Sequence, residues 1–243
     1  MEQRILTVEK NERLTADVFR LVLRGDVAAV TTPGQFVNLK IEGLFLRRPI
    51  SVCDKGDGVI TLVFKVVGEG TSRMAEIAPG AEIDVLCGLG NGYSSDRSGD
   101  RPLLIGGGVG VPPLFWLCRT LVGEGKRPSV IMGFNTADEI FMEDDFRSLG
   151  VPVTVTTADG SRGLRGFATD AMAGMDYTYF YTCGPLPMLR AVDRTAKGDG
   201  EFSFEERMGC GFGACMGCTH KTKKGYVRIC REGPVLRRED VIW

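Results

Sequence analysis

A chain of 243 residues, 43% hydrophobic and 25% charged, can bury the core of one large or two ordinary globular domains. Its formal net charge of -1 gives no footing for nucleic acid. The charged start MEQRILTVEK does not read as a secretory signal, and no run of about 18 apolar residues reads as a membrane span. The expectation is therefore a cytoplasmic protein with neither a nucleic-acid nor a membrane partner, whose eight cysteines serve as thiols, metal ligands or redox groups rather than disulfides.

From residue 4 to about residue 90 the chain alternates in short runs: RILTVE, VFRLVL, QFVNLKI, PISVCD, VITLVFKVV and EIDVLC. The runs are bounded by turn signals such as TTPGQ, DKGDG and APGAE, which predicts a small antiparallel barrel or sandwich. One helix is expected there, TSRMAEIA over 71–78, opening with Thr71 directly after GEG. At RSGDRP, residues 97–102, strands begin to alternate with helices. PLLIGGG precedes the helical VPPLFWLCRTLVGEG, and SVIMGF precedes ADEIFMEDDFRSLG. VPVTVTT and YTYFYTCGP then read as strands, and PLPMLRAVDRTAKG as a helix. This order argues a parallel doubly wound sheet. The tail from residue 198 is too short and glycine-rich to hold a core alone. The expected divisions are 1–97, 98–197 and 198–243.

Ligands of a parallel sheet bind beyond the carboxyl ends of its strands, where GGGVGVPPL (106–114) stands. It fails the G-x-G-x-x-G pattern, since Val111 holds the third position after Gly108. Taken alone it is either a plain turn or a nucleotide site. ADGSRG (158–163) and TCGPLPM (182–188) also follow predicted strands, so three glycine-bearing loops are expected to converge on one edge. Asp138 and Glu139 would repel a 2'-phosphate and weakly favour NAD over NADP, or they merely open a helix where acids are welcome. In the first region, Arg48 of RRPIS and the helix start at GEGTS offer a guanidinium and main-chain N-H groups to a pyrophosphate. As bare chemistry an arginine pair beside a proline is commonplace.

In this order the pieces resemble the ferredoxin reductase superfamily over roughly the first 200 residues. With MGCGFGACMGCTH and Cys230, the whole chain resembles the electron-transfer subunits of NAD-dependent (class B) dihydroorotate dehydrogenases. LGNGY (89–93) is similar to the loop that ends the flavin domain in that family. The resemblance implies an antiparallel FAD-binding β-barrel, a doubly wound parallel α/β domain for NAD as a diffusible substrate, and a small C-terminal [2Fe-2S] segment. It implies flavin and phosphate contacts from Arg48, Pro49, Ile50 and Ser51, with further contacts from Lys65, Val66, Val67, Gly70 and Thr71. Gly108, Gly110 and Pro113 would shape the pyridine-nucleotide site, with Cys183 and Gly184 near the nicotinamide. Ile50 departs from the pattern, because many superfamily members carry an aromatic residue there.

Cys210, Cys215 and Cys218 form C-x4-C-x2-C, with Cys230 after eleven further residues. Plant-type [2Fe-2S] ferredoxins begin with that spacing but place the fourth cysteine farther away. The shorter gap fits the reductase subunit better. Structural zinc usually pairs C-x2-C knuckles, and one knuckle is present, so zinc stays open at this point. A Rieske centre needs two histidines, and the chain has only His220. His220 is expected as a surface or hydrogen-bonding neighbour. Cys53, Cys87, Cys118 and Cys183 are expected in the core, with Cys183 alone having a functional alternative.

Hydride brings two electrons and a cluster takes one, so the expected path runs from NADH through FAD and the [2Fe-2S] cluster to an acceptor outside the chain. No catalytic acid-base residue is required. By resemblance the acceptor is the FMN of a dihydroorotate dehydrogenase catalytic subunit, in a heterotetramer of two of each chain. One rival is the small flavin and iron-sulfur subunit of an NAD(P)-linked transhydrogenase or hydrogenase complex. Another is a nucleotide-binding regulatory module with a structural zinc tail.

Overall fold

The structure, a computed structural model, describes all residues from Met1 to Trp243. Six strands open the chain: β1 (Glu2–Arg13), β2 (Val18–Arg24), β3 (Phe36–Leu39), β4 (Arg48–Gly56), β5 (Val59–Lys65) and β6 (Glu82–Leu89), with α1 (Glu69–Ala75) between the last two. They close an antiparallel barrel in the order β1-β2-β5-β4-β3-β6. Alternate residues, among them Leu6, Val8, Leu21, Leu23, Val37, Leu39, Leu62 and Val85, turn inward and fill it. The helix begins two residues before the expected 71–78. Thr71 is not its cap but lies in the first turn, where its Oγ1 accepts the main-chain N-H groups of Val67 and Gly68 at 2.9 and 3.2 Å.

The second region runs β7 (Pro102–Gly107), α2 (Pro113–Gly123), β8 (Ser129–Phe134), α3 (Glu143–Ser148), β9 (Val153–Thr157), β10 (Leu164–Arg165), α4 (Ala168–Met172), β11 (Tyr179–Cys183) and α5 (Leu186–Thr195). The tail adds β12 (Gly200–Ser203), the hairpin β13 (Thr219–Thr222) and β14 (Gly225–Arg228), and β15 (Val235–Arg237). One seven-stranded sheet has the order β10-β9-β8-β7-β11-β12-β15, parallel except for β15. Its central strands are apolar on both faces, as helices on each side require. Leu104, Val130 and Met132 pack toward α2, while Leu103, Ile105 and Ile131 pack toward α4 and α5.

One expectation is corrected here. The helix expected over 137–150 is broken: a short 3-10 turn covers Ala137–Glu139, and α3 starts only at Glu143. Between them Phe141 and Met142 dive into the core, each 6% exposed, with Phe141 against Phe134 at 5.5 Å between ring centroids. Burial of those two side chains outweighs the local helical spacing. The tail, in turn, has no core of its own. Its residues 200–203 and 235–237 extend the sheet, and Cys218, Ile229 and Cys230 share one apolar cluster with Phe36, Leu89, Phe180 and Phe202.

Candidate functional site: two clefts and a cysteine loop

The strand order turns back on either side of β7, so the carboxyl edge of β7 and β11 is where a crevice should open. Gly106–Gly110 leaves β7 there, and Gly110 lies directly against the carbonyl of Cys183 and the main chain of Gly184. Two clefts meet at this turn. The first, of about 410 Å³, is lined by Gly107, Gly108, Asn135, Glu139, Phe167 and Pro185, among others. The second, of about 380 Å³, receives Val109 and Pro113 from the far side of the same turn.

Of the expected NAD-site residues, Gly108 lines the first cleft and Pro113 the second. Gly110, Cys183 and Gly184 form the packed ridge at their junction. The Cys183 thiol is 2% exposed within the apolar core, and burial drives its pKa well above the ordinary thiol range. Cys53, Cys87 and Cys118 are buried likewise. ADGSRG does not join the convergence. Ser161 instead accepts the Ala137 N-H at 2.8 Å, and residues 167–169 line the first cleft where that loop was expected. Glu139 does reach the cleft, with Oε2 held by the main-chain and side-chain N-H groups of Asn135 at 3.0 and 2.9 Å.

The second cleft gathers most of the expected FAD set: Arg48, Pro49, Ile50, Ser51, Lys65, Val67 and Thr71. Val66 and Gly70 are the exceptions: Val66 turns toward the barrel core while its N-H donates to the Asp17 carbonyl at 2.7 Å. Gly70 acts through Arg48. A β-carbon on Gly70 would lie 1.9 Å from the Arg48 Nε, so the guanidinium rests on the first turn of α1 only because residue 70 has no side chain. Arg48 thereby brings a positive charge to the first turn of a helix, a combination suited to a pyrophosphate. The remaining wall comes from the tail, as Phe204, Glu205, Glu206, Met208 and Pro234, none of which the strand pattern suggested.

The four tail cysteines fall into two pairs. Cys210 is partly exposed and Cys215 exposed, and the Cys210 Sγ accepts the N-H groups of Ala214 and Cys215 at 3.2 and 3.4 Å. Cys218 and Cys230 are each 2% exposed, and the Cys218 Sγ accepts the Cys230 N-H at 3.4 Å. Desolvation opposes ionisation of Cys210, but the N-H groups of Cys215, Phe212 and Ala214 outweigh it and bring the thiol down to about 6. Burial and the neighbouring Cys218 push Cys230 up to about 12. No three His, Cys, Asp or Glu side chains converge tightly enough to share one ion. Two pairs suit a two-iron cluster, in which each iron takes two thiolates, better than a four-donor cage around one zinc. Arg228 braces the loop by donating to the Gly213 carbonyl at 2.8 Å. His220, expected as a surface or hydrogen-bonding neighbour, is partly buried: its ring lies tilted against Phe204 at 4.9 Å between centroids, its Nδ1 is 3.9 Å from the Glu206 carboxylate, and its Nε2 has no partner.

The fold and the paired clefts define a flavin oxidoreductase of the ferredoxin reductase type, extended by a cysteine-rich C-terminal segment. The family model described as the iron-sulfur cluster binding domain of dihydroorotate dehydrogenase B matches residues 205–242. Among curated proteins, the dihydroorotate dehydrogenase B (NAD(+)) electron transfer subunit of Fusobacterium nucleatum subsp. nucleatum is 43% identical, covering 97% of this chain and 96% of that one. A solved chain of an NADH-dependent reduced ferredoxin-NADP oxidoreductase, studied for flavin-based electron bifurcation, superposes with a TM-score of 0.90 at 29% identity over 99% of this chain and 90% of its own. The FAD/NAD-binding domain of a Vibrio cholerae nitric oxide dioxygenase shares the fold, with a TM-score of 0.70 at 21% identity over 79% of this chain and 91% of that one. The chain belongs to the family of dihydroorotate dehydrogenase B (NAD(+)) electron transfer subunits.

Proposed function

We propose that the chain carries electrons between NAD(H) and the FMN of a separate dihydroorotate dehydrogenase catalytic subunit, by way of bound FAD and a [2Fe-2S] cluster, in pyrimidine biosynthesis. The assembly is a cytoplasmic heterotetramer of two of each chain. One observation carries this reading: the turn at 107–113 borders both clefts, and the cysteine-bearing tail walls the second. The two clefts would then share one turn, and the segment that bears the cysteines would close the far side of the second.

Arg48, Pro49, Ile50, Ser51, Lys65, Val67 and Thr71 hold FAD in the second cleft, with Gly70 seating Arg48 and Val66 fixing the strand. Gly108, Gly110, Pro113, Cys183 and Gly184 shape the NAD site. Cys210, Cys215, Cys218 and Cys230 hold the cluster. Bound FAD supplies the conversion between paired and single electrons. The protein's own part is alignment and charge. Pro113 and Val109 line the second cleft on the side of the shared turn and would set how closely two flat rings can approach. Phe204 and Met208 close the tail side against water, and the N-H groups aimed at the Cys210 and Cys215 sulfurs offset the negative charge of a thiolate cluster. Glu139, anchored by Asn135, presents a negative charge to the first cleft and disfavours a 2'-phosphate there.

The purified chain is expected to carry FAD with about two irons and two acid-labile sulfides per chain, and to give a rhombic paramagnetic signal once NADH is added. Cys215→Ser should abolish electron delivery to the co-purified catalytic subunit while NADH still bleaches the flavin. A colourless protein with one equivalent of zinc would sink the reading, and NADH-dependent orotate reduction by the co-purified complex tests the partner.

A further inference from the structure

One side-chain contact ties the barrel to the first cysteine, and neither cleft uses the residue that makes it. Asn38 lies on β3 between Val37 and Leu39, both of which face the barrel core. Alternation therefore turns it outward, with Phe36, toward the tail, and there it is 1% exposed. Its Nδ2 donates to the Cys210 carbonyl at 3.3 Å, across 172 positions of sequence. That acceptor fixes the orientation of the amide, since only its nitrogen can donate. Oδ1 is left buried with no partner.

An unmet buried acceptor carries a desolvation penalty, which an apolar residue at this position would avoid. The cysteine loop is also shaped around the amide. Gly211 has φ +78°, and a β-carbon there would lie 2.4 Å from Nδ2. On its other side β3 pairs with the stretch that lines the second cleft, Asn38 opposite Pro49 and Phe36 opposite Ser51. Arg47 donates to the Asn38 carbonyl at 3.3 Å and to the Asp84 carbonyl at 3.0 Å, which fixes the end of the strand. A strand held between β4 and β6 thus pairs with Arg48–Ser51 along one edge and reaches Cys210 through an outward side chain.

We infer that Asn38 is a positioning residue for the internal electron transfer, holding Cys210 at a set distance from the Arg48–Ser51 strand so that Cys210 is the cluster ligand through which flavin and cluster exchange electrons. The inference rests on the flavin and cluster reading above and deepens it by naming the residue that joins the two sites. The electron balance is simple. Hydride from NADH would bring two electrons and a proton to bound flavin, which would pass the electrons on singly to a cluster held by Cys210, Cys215, Cys218 and Cys230, each electron leaving for a one-electron-accepting flavin of the partner before the next follows. Asn38 forms and breaks no covalent bond.

The test uses the intact subunit with its cofactors, as the Asn38→Leu and Asn38→Asp variants. Leucine keeps the volume without polar atoms, and aspartate keeps the shape while its carboxylate cannot donate. NADH is mixed in a stopped-flow instrument to follow flavin bleaching, and rapid freezing followed by paramagnetic resonance reads the cluster. The flavin is expected to bleach at the unchanged rate, while the cluster signal develops about tenfold more slowly, the usual size of effect when an outer partner of a metal site is lost. The g values should shift as the Cys210 loop reorients. Gly211→Ala disturbs the same contact from the other side and should reproduce this split, so the inference stays testable if one Asn38 variant does not fold. Folded variants with unchanged cluster rate and g values would overturn it. So would a parallel fall in both rates, which would assign Asn38 to barrel integrity alone. An unsubstituted chain lacking flavin or the cluster signal would instead defeat the underlying reading.

Discussion

At the scale of single residues, Gly70 and Arg48 make the sharpest case. The guanidinium occupies the space a β-carbon at 70 would need, so Gly70→Ala should evict it without touching the rest of the cleft wall. Loss of one charge-assisted contact weakens binding by about 1.5 kcal/mol, roughly tenfold. Fluorescence titration of FAD into the stripped protein should show that loss, and unaltered affinity would remove Arg48 from the phosphate role. Residues of this kind divide by how far away their partners lie. Cys210, Cys215 and Cys218 could be read from the chain because a ligand loop is local, its spacing written in consecutive residues. Asn38 and Asn91 could not, since their partners stand 172 and 144 positions away and nothing in the surrounding run announces them. Cys183 sits between these cases: its position in a strand already argues for the core and its TCGP turn for a functional role, and only the packing of its thiol, 2% exposed, decides between them.

At the scale of elements, the barrel strands were legible because each alternates over several residues with one face buried. The sheet edge was not, since β12 and β15 have four and three residues, too few to show a period. What fixes them is the loop after β6. The Asn91 side chain donates to the carbonyls of Val235 and Glu232 at 2.7 and 3.0 Å and accepts the Val235 N-H at 2.9 Å. Arg238 then fastens the end of the tail to the last turn of α5 through the Asp193 carbonyl at 2.7 Å and to the loop beyond it through the Gly198 carbonyl at 2.6 Å. At about 1 kcal/mol per hydrogen bond, Asn91→Ala should cost about 2–3 kcal/mol, and the loss should fall on the tail first. Hydrogen exchange would show faster labelling of residues 225–237 than of the barrel. Uniform loss of protection would mean that Asn91 does not act as a local anchor.

Across the whole molecule, the two large regions are held in register by Arg20 with Asp145 at 2.8 Å and Arg119 with Asp54 at 2.6 Å. Such partly exposed pairs orient more than they stabilise. The charge with a global effect is Glu201 on β12, 3% exposed and accepting the Ser94 N-H at 3.0 Å. Burial raises its pKa from 4.5 to about 7 against the pull of that N-H, Arg237 and Arg97. Below about pH 4.5 the group is protonated whether the chain is folded or not. Between pH 4.5 and 7 only the folded chain keeps the proton, so stability falls as pH rises, by about 3 kcal/mol in total at 1.36 kcal/mol per pK unit. Glu201→Gln should therefore raise the melting temperature at pH 8 and leave it nearly unchanged at pH 4.5, and a gain of equal size at both would dissociate it from titration.

The tail wall of the second cleft also has a consequence in time. A ribosome completes β1 to β6 more than a hundred residues before it reaches Phe204, Met208 and Pro234. The nascent barrel waits half-walled while most of the sheet is synthesised beside it, and lasting cofactor capture follows the making of that sheet. Cys230 emerges over the same interval, so flavin loading and cluster delivery fall into one narrow window of the protein's maturation.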